Sequence, residues 1–69
     1  MDVRLRFGKR VRDLRARRGL TQEALAAASK LHVTYISSLE RGHRNPSLQT
    51  CRAIASALNF SLSELFRDL

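Results

Sequence analysis

The 69-residue sequence has few of the residues that build disulfide frameworks, zinc sites or stacked aromatic surfaces. It holds a single cysteine, Cys51, so no disulfide can form within the chain. With only two histidines, His32 and His43, it also lacks the ligands of a structural zinc site. Tryptophan is absent and 6% of residues are aromatic, which disfavours a platform of stacked bases for single-stranded nucleic acid. No disulfide, metal or cofactor is expected.

Long apolar runs are missing as well. None approaches the roughly 18 residues of a membrane-spanning helix. The basic N-terminus leads into no apolar stretch with a small-residue cleavage site of the kind that ends a signal peptide. A lone cysteine gives no indication of an oxidising compartment. These absences predict a soluble cytoplasmic chain, and its length allows a single domain, residues 1–69.

Acidic residues are scarce: six stand against 13 Lys and Arg, for a formal net charge of +7. This excess favours a polyanionic partner, either nucleic acid or an anionic membrane. Eight of the 13 basic residues and only two of the acids lie within residues 1–18, whereas residues 46–69 carry two of each sign. The cluster can equally be a solvated helix face. The neutral C-terminal third is compatible with self-association, because no net repulsion opposes it.

Apolar residues recur at helical rather than strand spacing, which predicts an all-α fold of five short helices. Phe7, Val11 and Leu14 define a first helix from about Arg4 to Arg18, ended by Gly19.

Two further short helices are expected next, joined by a turn of a few residues. Thr21 is predicted to cap the second helix, which ends near Ser29, and the third spans about 32–41. If the third helix faces the core between Ile36 and Leu39, a helical wheel turns Thr34, Ser38 and Arg41 outward and leaves Ser37 close by. The same wheel places Glu40 beside the core, and the first helix's wheel leaves Arg15 partly buried.

The remaining residues predict two more helices. Pro46 and Ser47 start a fourth helix with Leu48, Cys51, Ile54, Ala55 and Leu58 as its apolar residues and Asn59 as its left-handed end. Ser61 and Glu64 form a capping box that opens a fifth. Phe60, Leu62, Phe66 and Leu69 can serve either core packing, which is favoured, or an interface.

A helix pair whose second member presents small polar side chains describes a helix-turn-helix, and such a helix fits the major groove of DNA. Four fragments carry this further: LTQEALA at 20–26, YISSLERG at 35–42, RNPS at 44–47 and SLSELF at 61–66. Together they resemble the phage repressor/Cro-like (XRE-type) family, and phage repressors are standard examples of the motif. The run LHVTYIS at 31–37 looks most like the controller proteins of restriction–modification systems.

The resemblance implies a lambda-repressor-like domain that regulates transcription in a bacterial or phage-infected cytoplasm. It implies a homodimer on a palindromic double-stranded operator, since one domain contacts one half-site. Base contacts are implied for Val33, Thr34, Tyr35, Ser37 and Ser38. Phosphate contacts are expected from Gln22, His32, Arg41, Arg44 and Asn45, with Arg10 and Arg17 reaching flanking phosphates from the first helix.

Ordinary roles compete with several of these assignments. Thr34 and Ser38 can be plain solvated helix residues, Gln22 a plain polar residue of the first turn, and His32 a helix cap, which is favoured slightly. The resemblance also implies an ion pair between Arg15 and Glu40.

The turn before the third helix departs from the family pattern at one position. The family commonly has glycine where this chain has Lys30, and a left-handed backbone there would cost about 1 kcal/mol. The expected dimer seam is Phe60, Phe66 and Leu69.

Other functions are weighed against DNA binding. Catalysis is not expected, because no nucleophile–base pair, carboxylate pair or metal cluster is apparent, and no small-molecule ligand is evident. A membrane-surface role would need the first helix's narrow apolar stripe, which the core requires. The main alternative is a protein-interaction or antitoxin-type module of the same fold, with DNA binding secondary.

Overall fold

The computed structural model describes residues 2–69, which form five α-helices, as predicted. The helices are α1 (Val3–Arg17), α2 (Gln22–Ser29), α3 (Val33–Glu40), α4 (Leu48–Leu58) and α5 (Leu62–Leu65). The predicted bounds differ from these by one or two residues, mostly because a capping residue had been counted as helical.

Asp2 caps helix α1: its carboxylate accepts a hydrogen bond from the Arg4 backbone nitrogen at 2.7 Å. The predicted core stripe of Phe7, Val11 and Leu14 is buried. Gly8 allows α1 to approach the end of α3 closely: a Cβ there would lie 2.5 Å from the Leu39 carbonyl oxygen. This close contact sets the position of α3 along α1.

The turn between α2 and α3 keeps the left-handed geometry at a non-glycine residue. Thr21 caps α2 by accepting from the Ala24 nitrogen, and Lys30 ends it with φ of 59°. Two residues later, His32 caps α3 through Nδ1, which accepts from the Thr34 nitrogen at 3.3 Å. The turn is therefore not remodelled by the lysine, and α3 begins where the sequence places it.

Helices α4 and α5 close the fold. Ser47 caps α4, Asn59 ends it in the left-handed conformation, and Ser61 with Glu64 makes the predicted capping box of α5. Leu48 departs from the expected core stripe of α4, because it lies in the first helical position and is 76% exposed.

A single apolar cluster contains residues from all five helices. Helix α1 packs against α3 and α5, α2 against α3 and α4, and α4 against α5. Within residues 2–69, no buried side-chain nitrogen or oxygen lacks a hydrogen-bond partner. None of the helices in the described part is both long and apolar enough to cross a membrane. The packing leaves one long side of α3 uncovered.

Candidate nucleic-acid interface

The uncovered side of α3 carries small, uncharged side chains near its start. Thr34 is exposed, and Val33 and Ser37 are half-buried. Ile36 and Leu39 face the core with essentially no exposure, which holds the helix in one rotation. Thr34 and Ser37 offer hydroxyl groups, and Val33 and Thr34 offer methyl groups for contact with a thymine methyl.

Ser38 does not lie where the helical wheel placed it. Its residue is only 9% exposed, and its hydroxyl accepts a hydrogen bond from Arg44 Nε at 3.3 Å. The reason is the end of α3: Gly42 adopts φ of 82°, the His43 nitrogen donates to the Ser38 carbonyl, and the chain turns back over that face. The prediction of an outward-pointing Ser38 is wrong.

Arg44 is held by two groups of α3. Besides Ser38, it lies over the ring of Tyr35, with the guanidinium carbon 5.3 Å from the ring centroid. Tyr35 is half-buried against the core cluster, so its position is fixed from below. Arg44 remains exposed beside α3, and Asn45 is exposed next to it.

Three helices meet at the carboxylate of Glu40. Arg15 donates from Nε to Oε2 at 2.7 Å and from Nη2 to Oε1 at 3.0 Å, and Gln22 Nε2 donates to Oε1 at 3.0 Å. The Glu40 side chain is 4% exposed. These hydrogen bonds raise the pKa of the Arg15 guanidinium above its ordinary value. The Arg15–Glu40 pair expected from the family resemblance is confirmed.

The arginines of α1 divide between two sides of the molecule. Arg10 donates from Nε and Nη2 to the Glu64 carbonyl oxygen at 3.0 and 2.8 Å, so it caps the end of α5. Two of its three guanidinium nitrogens are therefore engaged within the protein. Arg17 is exposed, and it lies two helical turns after Arg10 on the same flank.

A different α1 arginine faces α2 and α3. Arg12 lines a depression of about 300 Å³ together with residues of α2 and α3. The lining comprises Arg12, Arg15, Gln22, Ser37, Glu40 and Arg41. Arg12 was missed from the sequence, yet a signal existed: it lies three residues before Arg15, on the same helical face as the predicted partner of Glu40.

His32 caps α3 with one ring nitrogen and keeps the other as a hydrogen-bond donor. Because Nδ1 accepts from the Thr34 nitrogen, the ring proton resides on Nε2 of this exposed residue. The cap predicted for His32 is confirmed, and a phosphate contact through Nε2 is compatible with it.

An apolar groove of about 220 Å³ lies beside the chain that follows α3. Its lining includes Val3, Phe7, Leu48, Phe66 and Leu69. Phe66 packs on Phe7, with ring centroids 5.9 Å apart. Phe60 does not line this groove: the Arg18 guanidinium lies 4.1 Å above its ring. The expected seam is thus split, with Phe66 and Leu69 in the groove and Phe60 covered elsewhere.

Comparison with known proteins decides the family. The pattern of the helix-turn-helix family matches residues 11–65, which include α2, the turn and α3. The chain belongs to the helix-turn-helix family. Control protein C.MunI of Mycoplasma sp is 44% identical over 99% of this chain and 93% of that protein. Control protein C.BamHI of Bacillus amyloliquefaciens is 43% identical, over 93% of this chain and 80% of that protein.

The solved structures agree with this helix-turn-helix assignment. The restriction–modification controller protein C.AhdI from Aeromonas hydrophila superimposes with a TM-score of 0.88 at 45% identity, over 90% of this chain and 94% of that one. The predicted all-α helix-turn-helix fold is confirmed, and so is the predicted class, a DNA-binding transcriptional regulator.

Proposed function

We propose that this helix-turn-helix protein binds specific double-stranded DNA sites with α3 in the major groove and thereby controls transcription in the cytoplasm. One observation carries the placement of α3. Its open side presents Thr34 with Val33 and Ser37, while basic residues lie around it rather than on it. The hydroxyl and methyl groups of these small side chains can contact base edges, and the surrounding cations suit the phosphate backbone.

In the proposed interface, the residues that contact phosphates differ from the residues that contact bases. Arg41, Arg44, Asn45 and His32 are exposed around α3 and are proposed to contact phosphates. Gln22, anchored by Glu40, is proposed to reach the backbone with the second hydrogen of its amide. Thr34, Ser37, Val33 and Tyr35 are left to contact bases. None of these side chains makes the bidentate pairs of arginine or asparagine, so DNA shape is expected to supply part of the discrimination.

Selection from a pool of random duplexes at two salt concentrations tests this function. A regulator enriches one sequence, and its affinity falls with salt by about one power per phosphate contact. Enrichment of no sequence, with equal affinity for all duplexes, would contradict the proposal and leave the protein-interaction or antitoxin-type module as the better account.

We further propose a homodimer on a palindromic operator, with the apolar groove as its seam and a second copy as the occupant. Leu48 and Val3 are 76% and 57% exposed at the groove, and residues 46–69 carry no net charge to oppose association. The groove includes Asn45 and Pro46, in the segment between α3 and α4. A dimer on a palindromic operator would have to present both α3 helices on the same side, as half-sites one helical turn apart require.

Sedimentation of Leu48→Asp tests the seam. Aspartate suits the first turn of a helix, so the substitution charges the groove without opposing α4. The matched control is Gln49→Asp, the neighbouring exposed position, which does not line the groove. The proposal expects a monomeric Leu48→Asp and a dimeric control. A wild-type chain that is monomeric at all concentrations, both free and on DNA, would contradict it.

We assign the chain to the restriction–modification control proteins within the family. The support is that two such proteins align over most of their own length as well as of this chain, at 44% and 45% identity. The selected DNA site should then occur upstream of a restriction enzyme gene in the source genome. Its absence there would contradict the subtype and leave the DNA-binding function unaffected.

A further inference from the structure

The depression between α1, α2 and α3 has an unusual distribution of charge. Its wall contains three arginines, Arg12, Arg15 and Arg41, and one carboxylate, Glu40. The Glu40 carboxylate is buried and accepts hydrogen bonds from Arg15 and Gln22. Of these two partners only Arg15 is charged, so one arginine neutralises the charge of Glu40. Two positive charges therefore remain for whatever occupies the depression.

Arg12 and Arg41 are the residues that carry this excess. Both are exposed, and within residues 2–69 neither side chain forms an ion pair with an acid. They come from different helices: Arg12 from the middle of α1 and Arg41 from the C-terminal cap of α3. Like charges brought to one depression repel each other unless an anion lies between them.

The remaining groups of the depression suit a tetrahedral oxyanion. Gln22 keeps one amide hydrogen beyond the bond to Glu40. Guanidinium groups donate two parallel hydrogen bonds to phosphate oxygens. A backbone phosphodiester, with one negative charge and two free oxygens, matches these donors.

We propose that Arg12 and Arg41 together bind one phosphate of the DNA backbone, with Gln22 as a further donor. The site rests on the proposed placement of α3 in the major groove, since that brings the depression to the adjoining strand. Its consequence is that α1 and α3 hold the same phosphate. The contact then fixes the orientation of α3 in the groove as well as adding affinity.

Substitution of Arg12 combined with removal of single phosphate charges tests the site. Arg12→Gln is compared with Arg6→Gln, which removes the same charge from the same helix but faces the α5 side with Arg10 and Arg67. Each variant is titrated against the selected duplex and against duplexes with one neutral methylphosphonate at successive positions of each half-site. Thermal melting checks that both exposed substitutions leave the fold intact.

The expected result is a coupling at one position. Arg12→Gln weakens binding about tenfold and lowers the salt slope by about one unit, whereas Arg6→Gln does neither. Arg41→Gln is titrated in the same way. At one position the methylphosphonate weakens binding of wild type strongly and binding of Arg12→Gln or Arg41→Gln much less, because each variant has already lost one of the two guanidinium groups that bind that phosphate. Additive effects at every phosphate, or equal losses for Arg12→Gln and Arg6→Gln, would overturn the site. These outcomes differ from failure of the proposed function, in which wild type would not prefer the selected duplex at all.

Discussion

Arg15 Nε lies 2.7 Å from Glu40 Oε2, and the same guanidinium reaches the second carboxylate oxygen at 3.0 Å. This bidentate pair joins the last turn of α1 to the last residue of α3. Arg15 also donates from Nη1 to the Leu20 carbonyl oxygen at 2.8 Å, so the approach to α2 is held by the same side chain. The orientation of α3 relative to the other two helices therefore depends on one carboxylate.

Glu40→Gln is expected to destabilise the fold by about 3–5 kcal/mol, because it leaves the Arg15 guanidinium without its counter-charge at a mostly buried site. Thermal or denaturant unfolding measures the change. The double variant Arg15→Met with Glu40→Leu is the control, since packed apolar residues can replace a buried pair at little cost. An unchanged midpoint for Glu40→Gln would show that the pair does not stabilise the protein.

Lys30→Gly is expected to stabilise the protein by about 1 kcal/mol, since a left-handed backbone is unfavourable for a residue with a Cβ. Lys30 has φ of 59° and is exposed, so its side chain contributes little to packing. For a domain of this size the melting temperature should rise by about 4–8 °C. Asn59→Gly, at the same φ, should gain less because asparagine tolerates this conformation better. A fall in the melting temperature of Lys30→Gly would show that the left-handed backbone at Lys30 does not destabilise the protein.

The capping box of α5 should make stability depend on pH in acid. The backbone N–H of Ser61 donates to Glu64 Oε1 at 3.1 Å and holds the pKa of that carboxyl below its ordinary value. A lowered pKa in the folded state means that the stabilisation is present above the ordinary pKa and is lost as the pH falls through the folded value.

Glu64→Gln should therefore be less stable than wild type at neutral pH, with the difference shrinking as the pH falls below the ordinary carboxyl pKa and vanishing below the lowered pKa of the folded state. Unfolding measured from pH 7 down to acid records it. Ser61→Ala removes the cap of the Glu64 nitrogen at a cost of about 1 kcal/mol at every pH. It also removes the hydroxyl bond to Glu64 Oε1, so part of the pH dependence is lost with it. A gap between wild type and Glu64→Gln that persists unchanged into acid would count against the capping box as its source.

Ser38→Ala distinguishes the two roles considered for Ser38. Because its hydroxyl supports Arg44, its removal should weaken binding to every duplex by a similar, less than tenfold factor. Tyr35→Phe keeps the ring beneath Arg44 and should preserve the general affinity. The affinities of Ser38→Ala for the selected site and for each single-base variant of it distinguish the two roles. A loss of affinity that depends on the identity of one base pair would support the base-contact role instead.

The sequence predicted the fold well because local signals and apolar periodicity agreed. The caps at Thr21, Ser47 and Ser61 and the core stripe of α1 are all where they were predicted. The ion pair of Arg15 and Glu40 also followed, since both the wheel and the family resemblance placed these residues together.

The contacts that were not predicted join residues to segments packed against them in the fold. A helical wheel treats Ser38 as exposed, yet the loop after Gly42 folds back and covers it with Arg44. Arg10 is bound by the open carbonyl end of α5, which lies 54 residues away in the sequence. Such contacts depend on tertiary packing that no local period contains. The position of Arg12 opposite Arg41 required the same three-dimensional information.

We propose that the uncharged side of α3 determines which DNA sequence is bound, while the surrounding cations provide affinity for any duplex. Thr34→Ala, titrated against the selected duplex and a scrambled one at physiological salt, tests it most directly. Wild type should prefer the selected duplex by roughly 10³-fold or more. The account predicts that Thr34→Ala reduces this preference about tenfold and leaves the affinity for the scrambled duplex unchanged. Equal losses of affinity for both duplexes, with the preference intact, would contradict it.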